Sequence, residues 1–364
     1  MKTILVSLAE RSYPIYVGRG LVRQVGRILE ALHFGGKRVV LSSHRILDLH
    51  GEPLLRSLRR RGTSVETIGF PEGERYKCLQ TAEKLYRKLS RIGADRGTLI
   101  IAFGGGVVGD VAGFVAGTFM RGVPYIQIPT TLLAQVDSSI GGKTGVNLAE
   151  GKNLVGVFHQ PKAVVIDPAV LTTLPRREFQ SGLYECVKYG VIYDSPLFEL
   201  VSRKHARFPE RDRSSMESMI FECARIKAEI VSKDERESEL RKVLNFGHTL
   251  GHAFEAVTHY RLLTHGEAIG HGMILATRLA RSLGRIPSPD AERIEQVVSA
   301  VSPLPSIRHL RWPEIYRCML SDKKFTGRQL QFVLPRCIGC VEVVRDLSVE
   351  NVQQVTQEYL RDQP

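Results

Sequence analysis

The stretch "TLIIAFGGGVVGDVAGFVAG", residues 98–117, constrains the fold more than any other part of the chain. Its uninterrupted apolar run predicts a buried strand, and a helix is predicted after three consecutive glycines. Gly104, Gly106 and Gly109 form the pattern G-x-G-x-x-G, in which the backbone approaches a pyrophosphate at a helix N-terminus. The pattern is weak alone, and this copy lies about 100 residues into the chain, behind several strands. Tight packing of strand against helix is the alternative interpretation.

Short β-branched runs alternate with amphipathic stretches on both sides of this segment. Strands are predicted at "RVVLSS", "SVETIGF", "YIQIP" and "AVVIDP", and helices at "LVRQVGRILEAL" and "TAEKLYRKLSRIG". This alternation predicts an α/β domain with a largely parallel sheet over residues 1–174. From Pro175 onward, segments such as "SMESMIFECARIKAEIVSKDERES" predict a mainly helical second domain, residues 175–364, with a β-hairpin near residues 329–345.

The charge and cysteine content narrow the function classes. The net charge is +13, but the basic clusters are scattered and lack interleaved aromatics. Solvated helix faces or an anionic substrate therefore explain the charge better than nucleic acid does. No apolar run reaches the roughly 20 residues that span a membrane. Six cysteines without a secretion signal predict reduced thiols in the cytoplasm, and the C-x-x-C at Cys337 and Cys340 favours a hairpin over a redox or metal motif.

Two glycine-rich turns that each carry a lysine follow the first glycine loop. "IPTTLLAQVDSSIGGKTGVN" contains Lys143, and "EGKNLVGVFHQP" contains Lys152. A single turn of this kind is an ordinary surface feature. Two of them so close to a dinucleotide-type loop favour the binding of a polyanion.

The segment "FGHTLGHAFEAVTHYRLLTHGEAIGHGM", residues 246–273, holds five of the 11 histidines. On a helix, His248 and His252 share one face, so their spacing alone nominates both as zinc ligands. The zincin motif needs a glutamate after the first histidine, and Thr249 takes that place here. A hydrogen-bonded or surface pair is the alternative, and His259 and His271 are interpreted as surface residues.

Several long segments resemble the 3-dehydroquinate synthase family of sugar phosphate cyclases, from about residue 10 to residue 345. The segment that begins "GGGVVGDVAGF" and ends "VFHQP" carries this resemblance, together with "GLYECVKYG", "RKVLNFGHTLGHAFE", "HGEAIGHGM" and "DKK". The resemblance implies an N-terminal NAD-binding α/β domain and a helical C-terminal domain that binds metal and substrate. It also implies one divalent metal (zinc, possibly cobalt), a homodimer, and a phosphorylated sugar acid as substrate.

By this resemblance the metal ligands are Glu185, His248 and His265, so His252 becomes a substrate contact and the spacing argument is corrected. The residues that match substrate-binding positions are Lys143, Lys152, Asn153, Lys188, Lys227, Arg241, Asn245 and His252, with Lys323 or Lys324 from "DKK". Arg121 matches a residue that can reach the partner subunit's site.

The resemblance also nominates cofactor contacts. The adenosine-side loop is Glu72, Gly73, Glu74, Arg75, Tyr76 and Lys77. The pyrophosphate and nicotinamide positions are Gly105, Gly106, Val107, Val108, Gly109, Asp110, Thr130, Thr131, Asp137, Lys143 and Lys152, with Thr172 and Thr173 nearby.

Two departures from the family pattern stand out. Tyr184 and Cys186 flank the proposed ligand Glu185, where the family more often has alanine and an aliphatic residue. Ser43 stands where an aspartate or asparagine usually meets the adenosine ribose. A neutral hydroxyl there predicts weaker NAD binding and softer discrimination against NADP, with Arg45 close by, unless another residue supplies the ribose contact.

The resemblance implies conversion of 3-deoxy-D-arabino-heptulosonate 7-phosphate into 3-dehydroquinate and phosphate, with NAD oxidising the substrate and later returning the hydride. Three alternatives are another sugar phosphate cyclase, a metal-dependent polyol dehydrogenase and a basic nucleic-acid-binding protein. "GGKTGVN", "GKNLVGVFHQP" and Arg241 favour the carboxylate-bearing heptulosonate.

Overall fold

The computed structural model describes residues 1–59, 63–205, 213–321, 330–345 and 347–363. Unit 1 consists of Met1–Pro175 and Met216–Ser232, and unit 2 of Arg176–Ser215 and Lys233–Pro364. The functional division into residues 1–174 and 175–364 stays a prediction, and unit 1 differs from it by including residues 216–232. Among the described residues, no helix is long and apolar enough to cross a membrane.

The elements are numbered along the chain. The strands are β1 Lys2–Val6, β2 Tyr13–Val17, β3 Arg38–Ser43, β4 Val65–Phe70, β5 Leu99–Gly104, β6 Tyr125–Pro129, β7 Lys143–Leu148, β8 Gly151–Phe158, β9 Val164–Ile166, β10 Phe332–Cys337 and β11 Cys340–Val344. The helices are α1 Val25–Ala31, α2 His44–Ile46, α3 Glu52–Leu58, α4 Leu79–Arg91, α5 Gly106–Thr118, α6 Arg176–Ile192, α7 Ser195–Lys204, α8 Arg213–Lys233, α9 His248–Val257, α10 His265–Ser282, α11 Ser288–Val301, α12 Trp312–Ser321 and α13 Val349–Asp362.

Unit 1 is built on a seven-stranded sheet in the order β1-β2-β9-β6-β5-β3-β4. Among the described residues of this sheet, only the β1–β2 pair is antiparallel. Along β5, Ile100 and Ala102 join a core with α4 and α5, whereas Leu99 and Ile101 join a second core with α1 and α3. Successive side chains of a strand point to opposite faces, so helices must cover both. The predicted fold class, a largely parallel α/β unit with a mainly helical second unit, is confirmed.

The two predicted glycine-rich turns lie at the two ends of β7: Gly141 and Gly142 have φ of 100° and 67° just before it, and residues 149–150 form the turn that follows it. "KTGVNL" and "GKNLVGVF" form the antiparallel hairpin β7–β8, with Lys143 at the start of β7 and Lys152 in β8. Gly145 and Gly156 lie opposite each other, and a Cβ on Gly145 would come within 2.8 Å of the Val155 carbonyl oxygen. Gly145 and Gly156 therefore permit close approach of the two strands.

The central part of α8 packs into unit 1 although it comes late in the sequence. The ammonium of Lys2 lies 4.8 Å from the ring centroid of Phe221, and the amide of Ser7 donates to Ser232 Oγ at 2.9 Å. These contacts fasten α8 to the first strand and the residue after it.

In unit 2, glycines bring α10 against two neighbouring helices. A Cβ on Gly272 of α10 would lie 1.9 Å from the carbonyl oxygen of Gly247, the residue before α9. A Cβ on Gly266 would lie 2.0 Å from the Ser181 carbonyl oxygen of α6. Only glycine permits these backbone approaches, so α10 packs closely against α6 and against the start of α9, the helices that carry Glu185 and His248.

His271 was wrongly interpreted as a surface residue, whereas the surface prediction for His259 is confirmed. His271 is fully buried on α10, with Nδ1 2.6 Å from the Tyr359 hydroxyl and Nε2 3.0 Å from the Pro305 carbonyl oxygen. A carbonyl only accepts, so Nε2 carries the proton and Tyr359 donates to Nδ1. Neutral His271 therefore ties α13 to α10.

Acid is expected to destabilise the protein through His271. Burial lowers its pKa to about 4, against an ordinary value of 6.5, although the Pro305 carbonyl and Glu267 act in the opposite direction. The unfolded chain binds more protons between these values, so stability is complete above pH 6.5 and falls as pH drops towards 4, by about 3 kcal/mol. Unfolding of metal-free protein by urea across this range measures the effect. His271→Asn should flatten the dependence and His259→Asn should preserve it; equal slopes in both variants would contradict the assignment.

Candidate metal and cofactor sites

Three side chains of ligand type converge in unit 2, each from a different helix. Glu185 lies within α6, whereas His248 and His265 are the first residues of α9 and α10. Glu185 Oε1 is 3.4 Å from Nε2 of each histidine, and the three ligand atoms lie within 4.8 Å of one another. Two imidazoles and a carboxylate suit a catalytic zinc site that keeps a position open.

The second nitrogen of each histidine is held by an oxygen. His248 Nδ1 lies 3.0 Å from the Phe246 carbonyl oxygen, and His265 Nδ1 lies 3.3 Å from Glu255 Oε2. Because an oxygen accepts a hydrogen bond from Nδ1, the proton of each ring stays on Nδ1. The lone pair of Nε2 is then directed towards the candidate metal position next to Glu185. No sequence pattern identified Glu255, although it lies three residues after His252 and therefore on the same face of α9.

The local charges favour a cation at this position. Burial lowers the pKa of His265, but the carboxylates of Glu255 and Glu185 outweigh that effect and raise it to about 9. Lys188, one turn further along α6, forms an ion pair with Glu185, and both side chains are almost completely buried. The carboxylates that favour a proton on His265 would also favour a divalent metal ion in place of that proton. The three side chains therefore suit a divalent metal.

His252 lies at the edge of this cluster. Its ring centroid is 5.3 Å from that of His248 and 6.0 Å from that of His265. His252, Glu255 and His265 form a second group whose ligand atoms lie within 4.8 Å of one another. His265 belongs to both groups, so the geometry is compatible with two alternative metal positions. Glu185 is a ligand only in the group that it forms with His248 and His265.

One buried carboxylate organises the loop before α9. Asp234 accepts hydrogen bonds from the amides of Ser238, Glu239 and Arg241 at 2.9–3.0 Å. Burial raises the pKa of Asp234, but these bonds outweigh it and lower the pKa to about 2. Arg241 is thereby held in a buried position, and Asn245 donates to Glu237 Oε1 at 2.6 Å.

In unit 1, the glycine loop follows the carboxyl end of β5, and α5 begins at Gly106. A Cβ on Gly105 would lie 2.9 Å from Thr131 Cγ2, and one on Gly109 would lie 2.4 Å from Gln127 Oε1. Gly109 thus serves close packing, as the alternative interpretation held. Thr130 Oγ1, after β6, is buried without a hydrogen-bond partner among the described residues. A spare hydroxyl beside a helix N-terminus fits a pyrophosphate.

Two buried lysines of unit 1 are paired with aspartates near this loop. Lys77 Nζ lies 2.5 Å from Asp110 Oδ2, and Lys227 Nζ lies 2.8 Å from Asp137 Oδ1. Burial raises the pKa of Asp110, with Lys77 acting in the opposite direction. These pairs bring the loop of residues 72–77 to α5, and α8 to the segment after β6.

The β7–β8 hairpin connects to the same loop. Asn147 donates to Glu74 Oε1 at 2.8 Å, and its own Oδ1 accepts from the Asn153 amide at 2.9 Å. Lys143 is exposed and Lys152 is half-buried. The hairpin therefore supplies both lysines from strands positioned by Glu74.

Ser43 meets a carboxylate at the end of β3. Its buried hydroxyl donates to Glu72 Oε1 at 2.8 Å and accepts from the Ile46 amide at 3.2 Å, which caps α2. Thr173 Oγ1 lies 2.7 Å from His50 Nε2, and Thr172 donates to the Ala169 carbonyl. Arg121 is exposed with φ of 66°. Lys323 and Lys324 lie outside the described residues.

Two family models match the chain. One, described as 3-dehydroquinate synthase N-terminal, covers residues 67–181, and the other, described as 3-dehydroquinate synthase C-terminal, covers residues 182–325. The 3-dehydroquinate synthase of Desulforamulus reducens is 44% identical over 356 residues, which cover 98% of this chain and 99% of that protein. The chain belongs to the 3-dehydroquinate synthase family.

Solved structures similar to this 3-dehydroquinate synthase family member include two other cyclases. One is ValA, a 2-epi-5-epi-valiolone synthase from Streptomyces hygroscopicus with NAD+ and Zn2+ bound, with 28% identity, a TM-score of 0.88 and 98% coverage of each chain. The other is a 2-deoxy-scyllo-inosose synthase complexed with carbaglucose-6-phosphate, NAD+ and Co2+, with 27% identity, a TM-score of 0.85 and coverage of 98% of this chain and 99% of that one.

The two departures from the 3-dehydroquinate synthase pattern around Glu185 are accommodated by the fold. Tyr184 is buried and donates to the Ser302 carbonyl oxygen at 3.0 Å. Cys186 is also buried, with its thiol 3.5 Å from the Gly182 carbonyl oxygen of the same helix. Both side chains have their own partners, so neither interferes with Glu185.

Proposed function

We propose that this chain converts 3-deoxy-D-arabino-heptulosonate 7-phosphate into 3-dehydroquinate and phosphate, a step of the shikimate pathway. The enzyme is then a carbon–oxygen lyase that eliminates phosphate and closes a carbocycle. Family membership at 44% identity over 98% of the chain carries the proposal. The group Glu185, His248 and His265 supports it with a donor set of the right chemistry.

Each cofactor has a defined task and a set of residues to hold it. NAD supplies a hydride acceptor that takes a hydride from the substrate and returns it, so the reaction has no net redox change. A divalent metal, zinc or cobalt, supplies a Lewis acid that polarises substrate hydroxyls. Glu185, His248 and His265 would hold the metal. The residues proposed to hold NAD are Ser43, Glu72, Gly73, Glu74, Arg75, Tyr76, Lys77, Gly105, Gly106, Val107, Val108, Gly109, Asp110, Thr130, Thr131, Asp137, Lys143, Lys152, Thr172 and Thr173.

The substrate carries a phosphate, a carboxylate and several hydroxyls, which call for fixed donors. The residues proposed to hold it are Lys143, Lys152, Asn153, Lys188, Lys227, Arg241, Asn245 and His252, with Lys323 or Lys324. Lys188, Lys227 and Arg241 are almost fully buried. Buried cations interact strongly with anions because little water screens them. The departing phosphate is proposed to act as the base for its own elimination, so no protein side chain is assigned to that step.

The remaining proposals concern assembly and location. Residues 1–174 are proposed to bind NAD, and residues 175–364 to bind the metal and the substrate. We further propose a cytoplasmic homodimer in which exposed Arg121 reaches the partner subunit's site. Size-exclusion chromatography with light scattering tests the dimer, and a monomer of undiminished activity would contradict it.

Turnover is expected to leave NAD unchanged. With the heptulosonate phosphate, NAD and zinc, phosphate and dehydroquinate should appear in equal amounts, and absorbance from NADH should not accumulate. Stoichiometric NADH would identify a polyol dehydrogenase instead. Phosphate release from a different sugar phosphate, with none from the heptulosonate, would identify another cyclase.

Glu72 is expected to set the preference for NAD over NADP. The predicted loss of discrimination rested on a neutral Ser43, but Ser43 donates to Glu72 and thereby holds a carboxylate at the end of β3. A carboxylate there would bind ribose hydroxyls and repel a 2′-phosphate. Glu72→Gln should shift the ratio of NAD to NADP affinity by about tenfold towards NADP. Titration of both cofactors measures it, with exposed Glu83→Gln as the control. An unchanged ratio would exclude Glu72 from the ribose contact.

A further inference from the structure

Two thiols face each other at the end of the β10–β11 hairpin. Cys337 and Cys340 are direct cross-strand partners that flank the two-residue turn of Ile338 and Gly339. Cys340 is exposed and Cys337 is half-buried, whereas Cys186 and Cys223 are buried. The predicted hairpin is therefore confirmed, and it places two thiols together at the protein surface.

The cross-strand pairing of Cys337 and Cys340 is compatible with the Cα separation that a disulfide needs. Cα atoms of directly opposed residues in an antiparallel pair lie about 4.5–5.5 Å apart, within the range that a disulfide spans. Gly339, the second turn residue, has φ of 96°, which glycine adopts without strain.

The turn is also fastened in place. The Gly339 amide donates to the Val191 carbonyl oxygen of α6 at 2.9 Å, and the Ile338 amide donates to Asp290 Oδ2 at 3.4 Å. These two hydrogen bonds attach the turn between the cysteines to α6 and α11.

We propose that Cys337 and Cys340 form a redox modification site, a dithiol that a peroxide converts into an intramolecular disulfide. The exposed Cys340 thiolate attacks one peroxide oxygen, which gives a sulfenic acid and releases hydroxide. The Cys337 sulfur then displaces the sulfenic hydroxyl, and the thiol proton leaves with it as water. Two thiols lose two electrons in total, and one peroxide is reduced to two waters.

The order of the two steps follows from the environments of the thiols. Thiolate character and exposure decide which cysteine a peroxide oxidises first, and Cys340 is the exposed one. Burial and the neighbouring Cys340 raise the pKa of the Cys337 thiol. Cys337 therefore enters second, as the resolving thiol.

The chain offers a clean readout for this site. Arg336 and Arg345 enclose both cysteines, so trypsin releases them in the single peptide "CIGCVEVVR". The reduced full-length protein, with NAD and zinc present, is treated with one equivalent of hydrogen peroxide, alkylated and digested. We expect this peptide to be unalkylated and about 2 Da lighter than its reduced form, and dithiothreitol to reverse the change. A peptide that carries two alkyl groups, or an irreversibly oxidised Cys340 without a bridge, would overturn the proposal.

Two variants distinguish formation of the Cys337–Cys340 disulfide from unspecific oxidation of other thiols. Cys337→Ser should stop at the Cys340 sulfenic acid, which dimedone traps, because no resolving thiol remains. Cys318→Ser, the loss of another half-buried thiol, should form the bridge as the unaltered chain does. Loss of the bridge in Cys318→Ser would show that the pair does not act alone, and would also overturn the proposal.

Discussion

His265→Ala is expected to weaken metal binding by more than about 100-fold and to abolish turnover. The substitution removes one of the three proposed ligands and leaves the carboxylates of Glu185 and Glu255 without the imidazole between them. If the metal lies between Glu185, His248 and His265, Glu255→Gln should have a smaller effect, about 10–100-fold, because Glu255 then orients His265 without binding the metal. Metal content by elemental analysis and competition with a chelator measure both effects.

His252→Ala provides the decisive comparison, because the two candidate metal groups differ in this residue. If Glu185, His248 and His265 bind the metal, His252→Ala retains it and loses turnover as a substrate contact. Loss of the metal in His252→Ala, with retention in Glu185→Gln, would assign the metal to His252, Glu255 and His265 instead.

Gly272→Ala is expected to destabilise unit 2 by roughly 3 kcal/mol or more and to lower metal affinity with it. The new Cβ would lie 1.9 Å from the Gly247 carbonyl oxygen and 3.0 Å from the Gly251 amide nitrogen. Both are backbone atoms, so no side-chain rotation relieves the overlap and α9 must shift away from α10. His248 directly follows Gly247, so its imidazole moves with that shift.

Thermal unfolding and metal content measure the effect of Gly272→Ala. Gly35→Ala is the matched control, because its Cβ would meet no atom within 4 Å. If Gly272→Ala kept the wild-type stability and metal content, the close contact between α9 and α10 would not matter for the site and the prediction would be wrong.

The sequence predicted the fold well where local patterns determine it. The strand–glycine–helix unit at β5 and α5 and the hairpin at Cys337 and Cys340 are recognisable because turn and periodicity lie within a few residues of each other. The β7–β8 hairpin was missed because only the glycine-rich turns at the ends of β7 were recognised, and not the pairing of the two strands through Gly145 and Gly156.

The candidate site was less accessible to pattern reasoning, because its members come from separate helices. Glu185 lies more than 60 residues before His248 in the sequence and was found only through the family resemblance. The spacing of His248 and His252 favoured the wrong partner for the group that contains Glu185. Glu255 resembles any glutamate on a helix, and its contact with His265 depends on how α9 and α10 pack. Burial of His271 likewise depends on α13, which is distant in sequence.

The late return of α8 to unit 1 has a consequence for biosynthesis. Unit 1 includes Met216–Ser232, so the ribosome must synthesise residues 176–215 of unit 2 before the first unit has all its parts. A nascent chain released at residue 175 would expose the surface on which Lys227 meets Asp137 and Ser232 meets Ser7. Synthesis of unit 2 therefore begins before unit 1 is complete, and a gene split at residue 175 would separate unit 1 from its own helix.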